Sequence, residues 1–308
     1  MAYPKRKLIA DCSHLPYTAD DAARIFRTGQ LDYVETIPRP ENETGFYLAD
    51  LLGRPILSWP PDLPKFDPRG NPSAADFEEW KKAQDSKIGI AGNYFSFKGC
   101  GLVPCHSDLE KRHLSCFEMN PFVIEIRGQY PEWERSVYRK YKALGMRMPK
   151  RSLMTIDFVL TLKIPGRPGL HYHAVSIKPY ELLLQSSVQK RHKREVALLR
   201  EWGCTHEVMT EHSITASQVM NNRRLFEYMR YTESISTYRA AASDMAVALL
   251  KDVVLRTCDR KIEIVANRAG WSLNEGYRIF AIANFLGYLA INHKHELLPD
   301  KPLYLLQP

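Results

Sequence analysis

Two alternating segments joined by a glycine-rich turn constrain the fold of this chain more than any other stretch. Residues 154–161 place Met, Ile, Phe and Leu on one side and Thr, Asp, Val and Thr on the other, and residues 172–178 alternate in the same way. Such alternation predicts two half-buried β-strands. The turn residues at 166–169 predict an antiparallel hairpin. If the hairpin is symmetric about that turn, Asp157 lies directly opposite Lys178.

An acid and a lysine facing each other across a hairpin have two interpretations. The first is a solvated cross-strand ion pair, which is common and contributes little. The second is a catalytic group that includes the hydroxyl of Ser176 on the same face. Glu110 favours the second interpretation. Together with Leu114 and Phe117 it falls at positions i, i+4 and i+7 of a predicted helix over 107–117, so its carboxylate lies along an apolar stripe.

The order of these residues is that of a PD-(D/E)xK nuclease, which has a Glu on the first helix, an Asp on a central strand and a Lys on the next strand. A hard divalent cation binds through carboxylate oxygens. A lysine beside it can orient water and offset developing negative charge. A strand over 122–127, a helix over 189–202 and a strand over 206–210 are also predicted, which completes an α/β core.

Four motifs of this core resemble those of one family in order and spacing. They are Ser-Asp-Leu-Glu at 107–110, Ile-Glu-Ile-Arg-Gly-Gln-Tyr-Pro at 124–131, Thr-Ile-Asp-Phe at 155–158 and Ser-Ile-Lys-Pro at 176–179. Together they resemble TnsA, the endonuclease subunit of heteromeric cut-and-paste transposases. One such motif is weak evidence, whereas four in sequence order are specific. The resemblance covers roughly residues 94–210.

The resemblance implies an α/β restriction-endonuclease-like (PD-(D/E)xK) core and a role for each motif residue. Glu110 and Asp157 would be ligands of Mg²⁺, with Mn²⁺ able to substitute, and Lys178 would be the catalytic lysine. The backbone carbonyl of Ile177 would be a further ligand. Ser176 stands where the family has glutamine, and its shorter hydroxyl is a poorer cation ligand, so its role as a ligand is the weakest part of the assignment.

The resemblance also implies a biological step and its partners. TnsA cuts DNA at the 5′ ends of the transposon, the DDE transposase TnsB cuts and joins the 3′ ends, and the C-terminal domain of TnsA contacts the AAA+ regulator TnsC. Two other functions stay open. A stand-alone restriction-like nuclease would cleave purified DNA unaided. A non-catalytic DNA-binding or scaffold subunit would have lost its chemistry, with Ser176 as the trace of that loss.

Charge and composition favour a nucleic-acid partner. The net charge of +8 suits a polyanion. Lys190, Arg191, Lys193 and Arg194 crowd one and a half turns of the predicted helix. Phosphate contact beside the active site and a solvated basic face explain this run equally well.

Other features of the sequence suit a reducing cytosol, and the resemblance implies a bacterial cytoplasmic protein associated with the nucleoid. No apolar run approaches the ~20 residues that span a bilayer, and the basic N-terminus lacks the apolar core of a signal peptide. The six cysteines show no disulfide framework. The cysteines and histidines between 100 and 116 lack the Cys-x-x-Cys spacing of a zinc site.

The sequence predicts three parts. Residues 1–93 form a proline-broken arm packed on the core, residues 94–212 the TnsA-like endonuclease domain, and residues 213–308 a helical, winged-helix-like domain. In the last part, segments 290–293 and 303–306 are expected to form a two-stranded wing. Base-reading by DNA-facing residues and docking of a protein are both open for this domain. The candidate base readers are Asn274, Arg278 and Asn284.

Overall fold

The computed structural model describes residues 47–48, 51, 55–85, 90–149 and 152–306. The chain divides into two compact units, one containing the described residues up to Glu211 and the other beginning at His212. This division falls one residue before the predicted start of the C-terminal domain. Residues 1–46 of the predicted arm lie outside the described residues.

The first unit is a mixed α/β structure, and its elements follow the sequence in a simple order. A hairpin of two short strands comes first, then a helix, and then four further strands with two intervening helices. The elements are β1 (Gly92–Ser96), β2 (Gly101–Cys105), α1 (Asp108–Met119), β3 (Val123–Glu132), α2 (Arg135–Ala143), β4 (Met154–Leu162), β5 (His171–Ile177), α3 (Ser186–Arg200) and β6 (Thr205–Met209).

The remaining four strands form one mixed sheet in the order β3-β4-β5-β6. The pairs β3–β4 and β4–β5 are antiparallel, whereas β5 and β6 are parallel. A parallel pair needs a crossover connection, and α3 provides it. Residues of α1 and α3 pack against this sheet; Phe117 meets Phe158 edge to face with ring centroids 5.5 Å apart, and Leu199 joins Val159 in a buried cluster.

The hairpin is present, but its predicted register is wrong. Phe158 pairs with Val175, so Asp157 is not directly opposite Lys178 and the pairing is shifted by two residues from the symmetric one. Strand β4 ends at Leu162 and β5 begins at His171. The loop between them is too long to be a tight turn. Loop length and turn type set hairpin register, so the glycine-rich centre of a long loop does not fix it.

The prediction that β4 is half-buried is also wrong. Every residue of β4 after Met154 is buried, on both faces of the sheet. Helices therefore cover the side that carries Asp157 as well as the side that carries Phe158. A strand that is buried on both faces usually has a continuous run of apolar residues. In β4 the alternation arises because some of the buried side chains are polar and are hydrogen-bonded to specific partners.

The segment 55–85 packs against β3 through buried charges. Arg127 of β3 donates from Nη1 to Asp67 Oδ2, and the Tyr130 hydroxyl donates to the same oxygen at 2.6 Å. The side chains of Asp67 and Arg127 are 2% and 1% exposed. The segment contains no α-helix among its described residues, only the 3₁₀ turn Ala83–Asp85.

The second unit is helical, and three of the four α-helices described in it begin at side-chain caps. The four helices are α4 (Ala216–Met229), α5 (Arg239–Lys251), α6 (Cys258–Ala269) and α7 (Leu273–Phe285). The side chains of Thr215, Thr257 and Ser272 each accept a hydrogen bond from the third backbone N–H of the helix that follows. None of the helices described is long and apolar enough to cross a membrane.

Two predictions for this unit need correction. The two segments of the expected wing do pair, but only through the antiparallel bridge between Ile291 and Leu305 and two backbone hydrogen bonds, and neither segment forms a strand among the described residues. Asn284, predicted to read bases, is 5% exposed, and its amide donates to the Phe280 carbonyl at 2.8 Å. A side chain engaged inside its own helix cannot reach a base edge. Asn274 is exposed at the start of α7.

Candidate functional site

Glu110 sits in the first turn of α1, where the helix start fixes its carboxylate. Ser107 is the N-cap and accepts from the Glu110 backbone N–H at 3.2 Å. The Ser107 hydroxyl donates to Glu110 Oε1 at 3.1 Å, and the backbone N–H of His106 donates to Oε2 at 2.8 Å. This reciprocal arrangement is close to a capping box. The Ser-x-x-Glu spacing therefore holds the acid in one orientation, whatever its chemical role.

Asp157, Ile177 and Lys178 are joined by direct contacts at the end of β5. Asp157 Oδ2 accepts from the backbone N–H of Ile177 at 2.6 Å and lies 3.2 Å from Lys178 Nζ. The same Nζ lies 2.9 Å from the carbonyl oxygen of Ile177. The backbone N–H of Lys178 donates to Met209 of β6 at 3.0 Å. The lysine is thus anchored at both ends although β5 has ended.

The two carboxylates are close enough to repel each other. Burial, followed by the negative charge of Asp157, raises the pKa of Glu110 to about 7, whereas the charge of Lys178 acts in the opposite direction. Burial, followed by the charge of Glu110, also raises the pKa of the Cys105 thiol. Two acids sharing a desolvated site with one lysine form an arrangement that an added cation would stabilise.

Gln129 joins this group, and the sequence analysis gave it no role. Its Nε2 donates to Glu110 Oε2 at 3.3 Å, and the side chain is buried. Its backbone φ of +47° is rare for a residue with a side chain. The preceding Gly128 has no room for a side chain, since a Cβ there would lie 2.7 Å from Val103. The only sequence signal for Gln129 is its position in the motif at 124–131.

Ser176 is buried in a second network next to the acids. Its hydroxyl donates to Glu195 Oε2 at 2.9 Å and accepts from His206 Nε2 at 3.0 Å. Although burial opposes it, the hydrogen bond from His206 and the charge of Arg191 lower the pKa of Glu195 to about 2. Both hydrogen-bonding functions of the Ser176 hydroxyl are therefore used within the protein.

Arg191 belongs to the same network and was predicted to contact phosphate. Its Nε donates to Glu195 Oε1 at 2.7 Å and its Nη2 to the Thr155 carbonyl at 2.8 Å. The guanidinium thus ties α3 to β4, two residues from Asp157. Glu195 was not identified from the sequence as part of the site. The feature that could have indicated it is its i, i+4 spacing from Arg191 inside a basic run.

The remaining cations of α3 differ in their surroundings. Arg194 Nη2 donates to Glu134 Oε1 at 3.0 Å in an exposed ion pair. Lys190 and Lys193 are exposed on the same helix. The structure therefore separates the predicted phosphate-binding run into a brace at Arg191, whose side chain is 43% exposed, a surface pair at Arg194 and two exposed lysines.

We expect the substitution Ser176→Ala to affect stability much more than metal affinity. Removing the hydroxyl leaves Glu195 and His206 each short of one buried hydrogen bond, which costs about 1–2 kcal/mol of unfolding free energy. Urea unfolding measures the first effect, and calorimetric titration with Mn²⁺ measures the second, for which we expect less than a threefold change. A large loss of Mn²⁺ affinity in a folded variant would instead make Ser176 a ligand.

Sequence and structure together define a mixed α/β protein with a buried acid pair, a lysine and a glutamine at one end of its sheet. No protein-family model matches the chain, and no curated protein matches it either. Within the described residues there is no group of three or more His, Cys, Asp and Glu side chains placed to hold a metal ion. Glu110 and Asp157 supply two carboxylates.

Proposed function

We propose that this chain is a metal-dependent DNA endonuclease, the subunit of a cut-and-paste transposase that hydrolyses phosphodiester bonds at the 5′ ends of the transposon. One observation carries the proposal: Glu110 from α1, Asp157 from β4 and Lys178 beyond β5 come together, although 68 residues separate the first from the last. The mixed sheet with α1 before it and α3 as crossover is compatible with a restriction-endonuclease-like core.

The donors around this group fit Mg²⁺. Magnesium is bound by hard oxygen atoms, usually one or two carboxylates completed by water and substrate phosphate. Glu110 and Asp157 provide the carboxylates, and the carbonyl oxygen of Ile177 lies within reach of the same lysine that contacts Asp157. Burial, followed by the negative charge of Asp157, raises the pKa of Glu110, and a bound divalent cation would favour the ionised carboxylate. Mn²⁺ should substitute, since it accepts the same ligands.

Each residue then has a definite task in hydrolysis. When bound, Mg²⁺ would polarise the scissile phosphate and lower the pKa of a coordinated water. Asp157 holds the Lys178 ammonium at 3.2 Å, and that ammonium is placed to orient the attacking water and to neutralise charge that develops on the phosphate. Gln129 and the backbone N–H of His106 both donate to Oε2 of Glu110 and fix its position. The carboxylate therefore loses little conformational freedom when the transition state forms.

The rival functions differ in what they need for cleavage. A transposase subunit should leave purified DNA intact on its own and cut the 5′ ends only with a DDE transposase of the TnsB type, and with an AAA+ regulator of the TnsC type docked on the C-terminal unit. A stand-alone nuclease should cut unaided in Mg²⁺. The test is gel analysis of a plasmid carrying transposon ends, with and without these partners. Cleavage by the complete mixture that is independent of this chain would refute the proposal.

We expect Mg²⁺ affinity to rise with pH between 6 and 8. Glu110 carries a proton below its pKa of about 7 and must lose it to bind a cation. Affinity should therefore increase about fivefold from pH 6 to 7 and only about twofold from pH 7 to 8. Calorimetric titrations at pH 6, 7 and 8 measure this, and Glu110→Gln should bind weakly at all three. A wild-type affinity that is flat across this range would contradict the assignment of Glu110 as a ligand.

A further inference from the structure

Helix α2 presents a basic surface whose charge is compensated only at its first residue, where Arg135 Nε lies 3.8 Å from Glu201 Oε2. It contains four cations and no acid, and none of its residues is buried. Arg135, Tyr138, Arg139 and Lys142 fall at positions i, i+3, i+4 and i+7, so they share one face. The tyrosine is 45% exposed. Just after the helix, the charge continues with Arg147.

An ordinary solvated helix does not explain this composition. Exposed helices usually alternate charges of both signs, and like charges at i, i+4, such as Arg135 and Arg139, destabilise a helix. Two acids lie near the start of the helix: Glu134 is paired with Arg194, and Glu201 Oε2 lies 3.8 Å from Arg135 Nε. Among the described residues, no ion pair involves Arg139, Lys140 or Lys142. A polyanion lying along the face would offset the repulsion among the cations.

The position of α2 relates it to the acid pair. The helix connects the end of β3 to the start of β4, and Asp157 is the fourth residue of β4. Because β5 runs antiparallel to β4, its last residue, Ile177, lies at the same end of the sheet. The ion pair between Glu134 and Arg194, at 3.0 Å, links the start of α2 to α3. The basic face of α2 therefore lies at the end of the sheet that carries Asp157 and Lys178.

We propose that α2 binds the phosphate backbone of duplex DNA beside the bond that is cut. The inference rests on the proposed nuclease function and names a substrate-binding surface for it. Nine helical residues span ~13 Å, equivalent to about four base pairs. Arg139 and Lys142 contact phosphates, and Tyr138 lies between them against the sugar-phosphate chain. Such contacts position the duplex and carry no sequence preference.

The test compares two charge-matched double variants. Arg139→Gln/Lys142→Gln removes two cations from α2, while Lys163→Gln/Arg167→Gln removes two from the β4–β5 loop at the opposite end of the sheet. All four positions are exposed, and glutamine keeps the helix propensity of α2. Binding of a fluorescent 30-base-pair duplex is followed by anisotropy at several salt concentrations in EDTA, so that no divalent metal contributes.

The expected result is a change in the salt dependence of the affinity. Each lost phosphate contact lowers the slope of log K against log salt by about 0.9, so the α2 variant should lose about 1.8 and the loop variant close to zero. An unchanged slope in the α2 variant, or equal losses in both variants, would overturn the inference. An unchanged slope with weaker binding of a transposition partner would make α2 a protein-docking surface and also overturn it.

Failure of this inference can be told apart from failure of the proposed function. The variant Asp157→Asn keeps α2 intact, so it should bind the duplex in EDTA with the wild-type salt slope. If Asp157→Asn abolishes cleavage while the α2 variant leaves the slope unchanged, the nuclease assignment stands and only the DNA surface is wrong. If the α2 slope falls but Asp157→Asn still cleaves, the surface stands and the catalytic assignment is wrong.

Discussion

Replacing Asp157 with asparagine should abolish cleavage at the transposon 5′ ends and leave 3′ processing by the partner transposase intact. The amide keeps the size of the side chain but removes the charge that would bind a cation and that holds Lys178 at 3.2 Å. Loss of a single group that stabilises transition-state charge already costs about 10²–10³-fold in rate. Loss of a cation ligand as well should lower the rate by at least ~10³-fold. End-labelled DNA measures the two strand cuts separately.

A matched control separates chemistry from general charge effects. Asp108→Asn removes an equal charge two residues from Glu110, where the acid forms an exposed pair with Arg112. This variant should retain full cleavage and Mn²⁺ affinity, while Asp157→Asn should show no Mn²⁺ binding by calorimetry. Double-strand excision at the normal rate by the Asp157→Asn variant would remove Asp157 from the active site.

The largest effect on stability is expected at Asp67. In the variant Asp67→Asn, the amide takes the place of the carboxylate oxygen that receives hydrogen bonds from Arg127 and Tyr130. Arg127 Nε and Nη2 already have no hydrogen-bond partner, so the substitution removes the only carboxylate that is hydrogen-bonded to this buried cation among the described residues and leaves Glu125, 3.7 Å from Nε, as its remaining counterion. Breaking one side of a buried ion pair typically costs about 3–5 kcal/mol of unfolding free energy. Urea unfolding at pH 7 measures the loss.

The control for this variant lies in the same segment. Glu79→Gln breaks the exposed pair between Glu79 and Lys82, which should change the unfolding free energy by less than ~1 kcal/mol. A loss at Asp67 no larger than the one at Glu79 would show that the buried pair does not hold segment 55–85 against β3.

Much of the first unit could be predicted because its signals are local. The alternation at 154–161 identified β4, and the Ser-x-x-Glu spacing at 107–110 identified the start of α1. Both depend on residues within about four positions of one another. The order of Glu110, Asp157 and Lys178 along the chain also led to the expectation that they lie together. Lys178 Nζ lies 3.2 Å from Asp157 Oδ2, and the charges of both act on the pKa of Glu110. Whether they catalyse is the subject of the experiments above.

Side-chain partners could not be predicted, because they depend on residues distant in sequence. Ser176 was considered as a ligand, yet its hydroxyl is committed to Glu195 and His206. Arg191 was grouped with its neighbours as a phosphate contact, yet it braces α3 against β4. A basic run in the sequence does not distinguish a cation that faces solvent from one that faces a buried glutamate.

The sequence by itself determined α1, α3 and the four strands of the larger sheet, because hydrophobic periodicity and capping act over a few residues, but it did not identify β2 or α2. Only the tertiary structure decided the register of β4 on β5 and the burial of both faces of β4. It also placed Gln129 beside Glu110 and left α2 exposed. These features follow from how sheet, helices and the segment 55–85 pack together, and packing selects among local arrangements that the sequence alone leaves open.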